Sequence, residues 1–299
     1  MTQLPKIICV VGPTATGKSD LAVLLALKLN GEIISADSRQ VYTGLDLGTG
    51  KITKEEMMGV THHLLDVADP KERFTVSDWV LGAQKAIKEI ISRGRVPVIC
   101  GGTGFYVSAL IENSHFPEIT IQPGEQEQLE QKDTEELFKE LQVLDLRRAG
   151  EIDKHNKRRV ARAILIAREL GCVPQITKKE PIYDVLWIGT TIPDEKLRQR
   201  INIRLVKRMD AGMLEEVKTL NVQNLSHERM NEIGLEYRYL SQLMQGNLSE
   251  KDFYTTLSAK IWQYAKRQKT WFKRNKLITW FNPKDSETIL NEAQKFLIK

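Results

Sequence analysis

The sequence predicts an α/β fold: a parallel sheet with covered faces, interrupted by an α-helical insertion. An apolar run, Ile7–Val11, leads through a glycine-bearing segment, residues 12–19, into the buried-helix composition of residues 20–28. Strand-like apolar runs then alternate with helical stretches, the pattern of a parallel sheet. Around Asn113 the alternation stops, and a long polar, helix-favouring stretch takes over.

Taken in order, strands are expected at Ile7–Val11, Glu32–Ala36, His63–Val67 and Val96–Cys100. Helices are expected between them over Lys18–Leu29 and Val76–Arg93, with Gly94 as a C-terminal stop. Pro117, Pro123 and Gly124 break the pattern. Glu125–Leu170 then favours helix, most clearly in Thr134–Leu141 and Asn156–Ala167, until Gly171 and Pro174 close it. A strand at Tyr183–Gly189 returns the chain to the sheet. The expected division is therefore a core of residues 1–113 and 181–299 around an insertion of residues 114–180. Asp194–Leu220 reads as one long basic amphipathic helix starting at Pro193 or Asp194. In it Arg200, Arg204 and Arg208 recur every fourth residue and drift slowly around one face, a pattern that also fits a solvated surface. A helix from about Ser249 to Lys276, a short strand at Leu277–Phe281 and a covering helix at Ser286–Ile298 complete the chain.

A chain of 299 residues can hold one large domain and a smaller one. No apolar run approaches the roughly 20 residues that span a bilayer. The first strand begins without a basic and apolar leader, so a cytoplasmic protein with no membrane partner is expected. Cys9, Cys100 and Cys172 are widely spaced with no C-x-x-C pair, which suggests neither a zinc site nor a disulfide framework. His62 and His63 open an expected strand, where adjacent side chains point to opposite faces and share a metal poorly. The net charge of +5 is modest but unevenly placed. Eight basic residues lie between Arg147 and Arg168 against Glu151 and Asp153, and seven with no acid between Lys260 and Lys276. Two such stretches suit a polyanion larger than a single nucleotide. Trp262, Tyr264, Trp271 and Phe272 interleave the second one; they suit base stacking, or a core-facing stripe behind solvated cations.

Residues 12–19 match G-x-x-x-x-G-K-[ST] in a strand–loop–helix context. Gly12 and Gly17 let backbone amides turn toward an anion, and the helix N-terminus adds partial positive charge. Lys18 would reach phosphoryl oxygens, and Ser19 would offer a hydroxyl to Mg²⁺. Ligands of doubly wound sheets lie outside the carboxyl ends of the strands, which places Asp37 beside this loop. An aspartate there can bind a metal through water, act as a general base, or cap a turn. The fourth strand runs into Gly101-Gly102-Thr103-Gly104, where a kinase or ATPase more often carries a metal-binding acid. Thr103 can donate to a phosphate or accept from a base.

The segments Gly12–Ser19, Ile34–Tyr42, Gly101–Tyr106 and Arg267–Phe272, in this order and spacing, resemble the bacterial tRNA dimethylallyltransferases, also called tRNA isopentenyltransferases. Thr61–Asp66 and Arg93–Pro97 are similar to that family as well, so the resemblance spans nearly the whole chain. It implies a P-loop-kinase-like α/β core with a helical insertion domain that grips a tRNA anticodon stem–loop. The implied reaction moves a dimethylallyl group from dimethylallyl diphosphate to the exocyclic amine of the adenosine 3′-adjacent to the anticodon, and diphosphate leaves with Mg²⁺ assistance. Carried onto this sequence, Gly12, Pro13, Thr14, Ala15, Thr16, Gly17, Lys18 and Ser19 hold the diphosphate, Ser19 also serving the metal. The family pattern in Leu197–Arg204 makes Arg200 or Arg204 a second phosphate clamp. Asp37 is the implied general base and Thr103 its positioning partner. Asp37, Ser38, Arg39 and Gln40, with Arg158, Arg159, Val160, Ala161 and Arg162, are implied tRNA contacts. Three departures stand out: Arg158 replaces a frequent glutamine, the segment from Phe116 to Thr134 is short, and the frequent Ile-Gly-Tyr-Lys/Arg-Glu is here Ile233-Gly-Leu-Glu-Tyr-Arg238. No heptad seam calls for assembly, so a monomer is expected.

Three other functions share parts of this pattern. A small-molecule P-loop kinase would use Asp37 toward a hydroxyl, but needs no extended basic stretches. A prenyltransferase for free adenine nucleotides would keep the donor site without an RNA-binding insertion. A non-catalytic RNA-binding protein would use the loop only as a switch.

Overall fold

The computed structural model describes residues 4–114, 116–117, 119–120, 122, 124–175 and 180–298; Pro123 lies outside the described residues. The described chain forms two compact units, residues 1–113 with 180–299, and residues 114–179.

The first unit is built on β1 (Lys6–Val11), α1 (Lys18–Lys28), β2 (Gly31–Ser35), β3 (His62–His63), α2 (Val76–Ser92), β4 (Val96–Gly101) and α3 (Gly104–Ile111). In the second unit lie α4 (Glu125–Gln131), α5 (Thr134–Leu144), α6 (Leu146–Glu151) and α7 (Lys157–Leu170). The chain then rejoins the first unit with β5 (Asp184–Thr190), α8 (Asp194–Asp210), α9 (Met213–Val222), α10 (His227–Ile233), α11 (Leu235–Met244), α12 (Glu250–Phe272), β6 (Thr279–Phe281) and α13 (Ser286–Ile298).

The six strands form one sheet in the order β3-β2-β4-β1-β5-β6, and every pairing is parallel. Alternation places Ile8, Val10, Ile33, Val98 and Ile188 on one face, packed against Leu21 and Leu25 of α1 and Ile289 of α13. The intervening Ile7, Cys9, Val11, Ile34 and Ile99 are fully buried too, so both faces are covered and the strands read as continuous apolar runs. This is a P-loop-type α/β core with a helical insertion. The central strand β1 carries the glycine loop at its carboxyl end, between the ends of β4 and β5.

Local chemistry explains where elements differ from expectation. The strand expected over His63–Val67 stops at His63, because Leu64 and Asp66 adopt positive φ and turn the chain out of the sheet. The single helix expected over Asp194–Leu220 is two. Gly212, at φ 98°, ends the run after α8 and starts α9 in a new direction. Arg200, Arg204 and Arg208 all stay on α8. In addition α3, α10 and α11 form helices that the sequence pattern did not mark.

In the insertion, α7 is capped by the Asn156 side chain and ends at Gly171 in the left-handed region. Its Val160, Ile164 and Leu165 pack with Leu137 and Leu141 of α5 into a separate small core. Among the described residues no helix is long and apolar enough to cross a membrane.

At the amino ends of β2 and β4, Glu32 is 2% exposed and holds the sheet edge together. It accepts from Arg93 Nε and Nη2 at 3.1 and 2.8 Å and from Arg95 Nη1 at 3.0 Å, and His63 Nε2 lies 2.6 Å away. Burial alone would raise its carboxyl, but the bonds from Arg93 and His63 outweigh it and set the pKa at about 2. A carboxyl depressed on folding stabilises above its unfolded value, about 4.3, and that stability is lost as pH falls toward 2. Glu32→Ala is expected to cost about 1–3 kcal/mol in urea unfolding at pH 7, and the gap from the parent protein should close between about pH 4.3 and pH 2.

Candidate functional site

The carboxyl ends of β1, β2, β4 and β5 open on one crevice. The loop after β1 is bent by Gly12 at φ 147°, Ala15 at φ 61° and Gly17 at φ 96°. Gly17 is the N-cap of α1, and no side chain caps it, so the first amides of the helix are left for an anion. Several groups hold the loop in place. A Cβ on Gly12 would stand 2.6 Å from Thr190 Oγ1, so only glycine fits there. Thr190, at the end of β5 and fully buried, shares a 2.7 Å hydrogen bond with Thr16 Oγ1. Thr16 also donates to Pro13 O at 2.9 Å, so its hydroxyl braces the loop from inside rather than facing a ligand. The Thr14 amide donates to Gln268 Oε1 at 2.9 Å and is likewise engaged.

Four cations gather here. Lys18 Nζ lies 3.4 Å from Pro13 O, and burial holds its ammonium below the usual lysine range. Asp37 opposes that shift, while Arg204 and Arg208 reinforce it. Arg200 Nη1 donates to Thr16 O at 3.2 Å, bracing the loop from outside. Arg208 donates to Gly48 O at 3.5 Å and pairs with Glu236 at 3.5 Å. Arg204 has surface open to the crevice yet is hemmed in by protein; that enclosure, then Arg208, pushes its pKa down to about 10. Among the described residues it makes no hydrogen bond or ion pair, which leaves its guanidinium for a ligand.

The glycine-rich loop after β2 closes on these cations. The Glu216 carboxylate on α9 accepts from the amides of Asp46, Leu47 and Gly48 at 3.1, 2.6 and 3.0 Å, and from Tyr237 Oη at 2.7 Å. The loop thereby lies so near α8 that a Cβ on Gly50 would stand 1.7 Å from Arg208 Nη2 and 3.0 Å from Arg204 Nη2.

On the other side of the crevice, Asp37 Oδ1 accepts from the Arg39 amide at 2.9 Å, an Asx turn that fixes the carboxylate. Its second oxygen accepts no hydrogen bond among the described residues. Thr103 Oγ1 accepts from the Ser38 amide at 3.0 Å, tying the end of β4 to the turn after β2. Tyr264 of α12 reaches the same place: burial pushes its hydroxyl up, Asp37 adds to that, and a bond with Thr103 opposes it. Gln40 donates to Gly50 O at 3.2 Å and serves the loop.

The structure thus brings Gly12–Ser19, Asp37–Gln40, Thr103, Arg200 and Arg204 to one crevice. The tRNA-contact expectation for Val160 and Ala161 needs correction. Both are fully buried in the insertion core, on the face of α7 turned to α5, so their side chains cannot meet a ligand. Arg158 and Arg159 are exposed and, among the described residues, unpaired; Arg162 is half-buried. Five of the eight basic residues in this stretch are spent internally: Arg147, Arg148, Lys154 and Arg168 on carboxylates, Lys157 on Lys132 O. Sequence reasoning did not place Thr190, Glu216, Glu236 or Gln268 in the site, and offered Tyr264 only for base stacking or a core-facing stripe. Two signals pointed to Gln268: it lies in the family-like segment Arg267–Phe272, and its four-residue spacing from Tyr264 puts both on one face of α12.

A protein-family model described as IPP transferase matches residues 40–275. The chain belongs to that family. Among IPP transferase relatives, the tRNA dimethylallyltransferase of Anoxybacillus flavithermus is 39% identical over 297 residues, covering 98% of this chain and 95% of that one. The solved structure of the full-length tRNA isopentenylpyrophosphate transferase of Bacillus halodurans is 36% identical, with a TM-score of 0.74 over 98% of this chain and 96% of that one. A eukaryotic dimethylallyltransferase described as acting on tRNA is 28% identical, also with a TM-score of 0.74, over 90% of this chain and 70% of its own.

If Arg204 and Arg208 receive an anion, Gly50→Ala should displace both guanidiniums. Calorimetry with inorganic diphosphate is expected to show a Kd raised about tenfold or more, some 1.4 kcal/mol. Gly150→Ala, where a Cβ meets nothing within 4 Å, should leave the affinity unchanged.

Proposed function

We propose that this IPP transferase moves the dimethylallyl group of dimethylallyl diphosphate to the exocyclic amine of the adenosine 3′-adjacent to the anticodon in tRNA, releasing diphosphate. The observation that carries this conclusion is the meeting of a fixed carboxylate, Asp37, with a cationic phosphate loop in one crevice. A kinase is disfavoured at the end of β4. A Cβ on Gly101 would stand 2.1 Å from Ala36 O, so no acidic side chain can occupy that position.

In this mechanism the donor's diphosphate sits on the free amides between Ala15 and Ser19, with Lys18 and Arg204 taking up its charge. Arg200 acts one step back, by holding the Thr16 carbonyl, so Arg204 is the second clamp. Thr14 serves through its hydroxyl, since its amide is engaged. The acceptor adenosine leaves its stack to reach the crevice. The bond from the allylic carbon to the diphosphate oxygen breaks and its electron pair leaves with diphosphate. The adenine amine forms the new carbon–nitrogen bond, and Asp37 takes the amine proton. Thr103 and the Asx turn hold Asp37 at the geometry this needs.

Among the described residues no cluster of three or more His, Cys, Asp or Glu side chains could hold a metal by itself. Mg²⁺ often binds through substrate phosphates, waters and one or two protein oxygens, so the donor set fits it without such a cluster. The Ser19 hydroxyl would hold it beside the diphosphate, and the ion would neutralise charge on the leaving group.

In the first unit, Ser38, Arg39 and Gln40, the exposed α12 cations Lys266 and Arg267 with Trp271, and Arg274 just beyond that helix would meet RNA; in the insertion, taken by itself, the exposed Arg158 and Arg159 and the half-buried Arg162 would do so. We take the protein to act as a monomer in the cytoplasm.

Radiolabelled dimethylallyl diphosphate with Mg²⁺ and an anticodon stem–loop, AMP or ATP tests the conclusion. Label on the stem–loop is expected. Label on AMP but not RNA, or ATP hydrolysis without prenyl transfer, overturns it. Asp37→Ala should cut transfer by about 10²–10⁴-fold while stem–loop affinity stays within a few-fold.

Arg158→Ala and Arg159→Ala should each weaken stem–loop binding and leave donor affinity intact. Each is expected to reduce the slope of log K against log salt concentration by about 0.7–0.9, read from filter binding across a salt series.

A further inference from the structure

Gln268 is 5% exposed and lies on α12, far along the chain from the loops it touches. Its Oε1 accepts from the Thr14 amide at 2.9 Å, and its Nε2 donates to Gly102 O at 2.9 Å. One planar amide therefore joins the loop after β1 to the loop after β4. The first is the donor's seat. The second carries Thr103, which fixes Ser38 and the turn that presents Asp37. The bond to Gly102 O is buried and the one from the Thr14 amide half-buried, so losing the first leaves a carbonyl unpaired in the interior.

The packing around this amide leaves little slack. A Cβ on Gly102 would stand 2.2 Å from Gln268 Nε2, and one on Gly104 would stand 2.2 Å from the Trp271 ring. Gly102 and Gly104 are thus the room that α12 needs. No charged side chain can replace the amide. An ionised glutamate cannot donate to Gly102 O, and a lysine cannot accept from Thr14 N.

We propose that Gln268 is a positioning residue that sets the distance between the donor's allylic carbon and the acceptor's amine. This rests on the prenyl-transfer reading above. Allylic transfer needs the amine within about 3–3.5 Å of the carbon, and a misplacement near 1 Å costs about 10²-fold in rate. With the spacing lost, the donor still binds and its carbon–oxygen bond still breaks. Water then takes the dimethylallyl group in place of the amine, giving dimethylallyl alcohol, diphosphate and a proton.

The test is the ratio of diphosphate released to prenylated stem–loop formed, measured in the full chain with both substrates. The parent protein should give a ratio near one. Gln268→Leu keeps the bulk and removes both bonds; kcat for transfer is expected to fall about 30–100-fold, with either KM within about threefold, and the ratio to rise well above one. Gln268→Glu keeps the acceptor for Thr14 N and regains a donor only when protonated. Its ratio should exceed one at pH 8 and return toward one as pH falls, while the parent's ratio stays flat. A Gln268→Leu that keeps a ratio near one, or that changes only KM, overturns the proposal. Should that variant fail to fold, a Gln268→Glu ratio near one at every pH does the same. Absence of stem–loop prenylation by the parent protein would instead strike at the prenyl-transfer reading itself.

Discussion

Four cations gathered about one loop are a concentration of like charge, and much of the core's architecture contends with that fact. Lys18, Arg200, Arg204 and Arg208 converge on a loop whose helix N-terminus adds further positive potential. The spacing of the three arginines on α8 is fixed by the helix itself, about 6 Å of rise per four residues. Each cation except Arg204 leans on a neutral carbonyl or a single carboxylate: Pro13 O, Thr16 O, Gly48 O or Glu236. Glu236 shows the cost of that help. Burial pushes its carboxyl up, and Arg208 pulls against it. The cations are held by weak partners, carbonyl oxygens and one half-buried carboxylate.

Rigidity comes from close approach more than from strong bonds. Gly12 on Thr190, Gly48 on Tyr237, Gly50 on Arg208 and Gly101 on Ala36 each leave no space for a methyl group. Around them, Trp79 donates to Ser35 O at 2.9 Å and stacks on Tyr106 with ring centroids 5.0 Å apart, stiffening the strand end that carries Asp37. At Gly12 and Gly101 the contact is with backbone, which deforms far less than the Arg208 guanidinium that crowds Gly50.

Much of the core was legible in the sequence. The apolar runs of β1, β2, β4 and β5 are pure enough to mark central strands, and the loop at 12–19 names its own position. The failures have local causes. Positive φ at Leu64 and Asp66 is invisible in a sequence that still looks extended, and Gly212 inside a helical pattern reads as tolerable until its φ is known. Asp37 and Thr103 could be placed by strand ends alone, because topology brings strand ends together. Gln268, Thr190 and Glu216 could not. They act across separations of 166 residues or more, and even for Gln268, which lies in a family-like segment, nothing local says which loops it reaches. Val160 and Ala161 were misjudged because a run of neighbours on a helix does not share a face.

The sheet's two borders have a bearing on how such a molecule survives in solution. β3 contributes only two residues and β6 only three. A row of unpaired backbone groups of that length is too brief to template a strand from another chain. The long, apolar strands that would be most adhesive are all interior. The sheet therefore has little at its margins to pair with a second copy of itself.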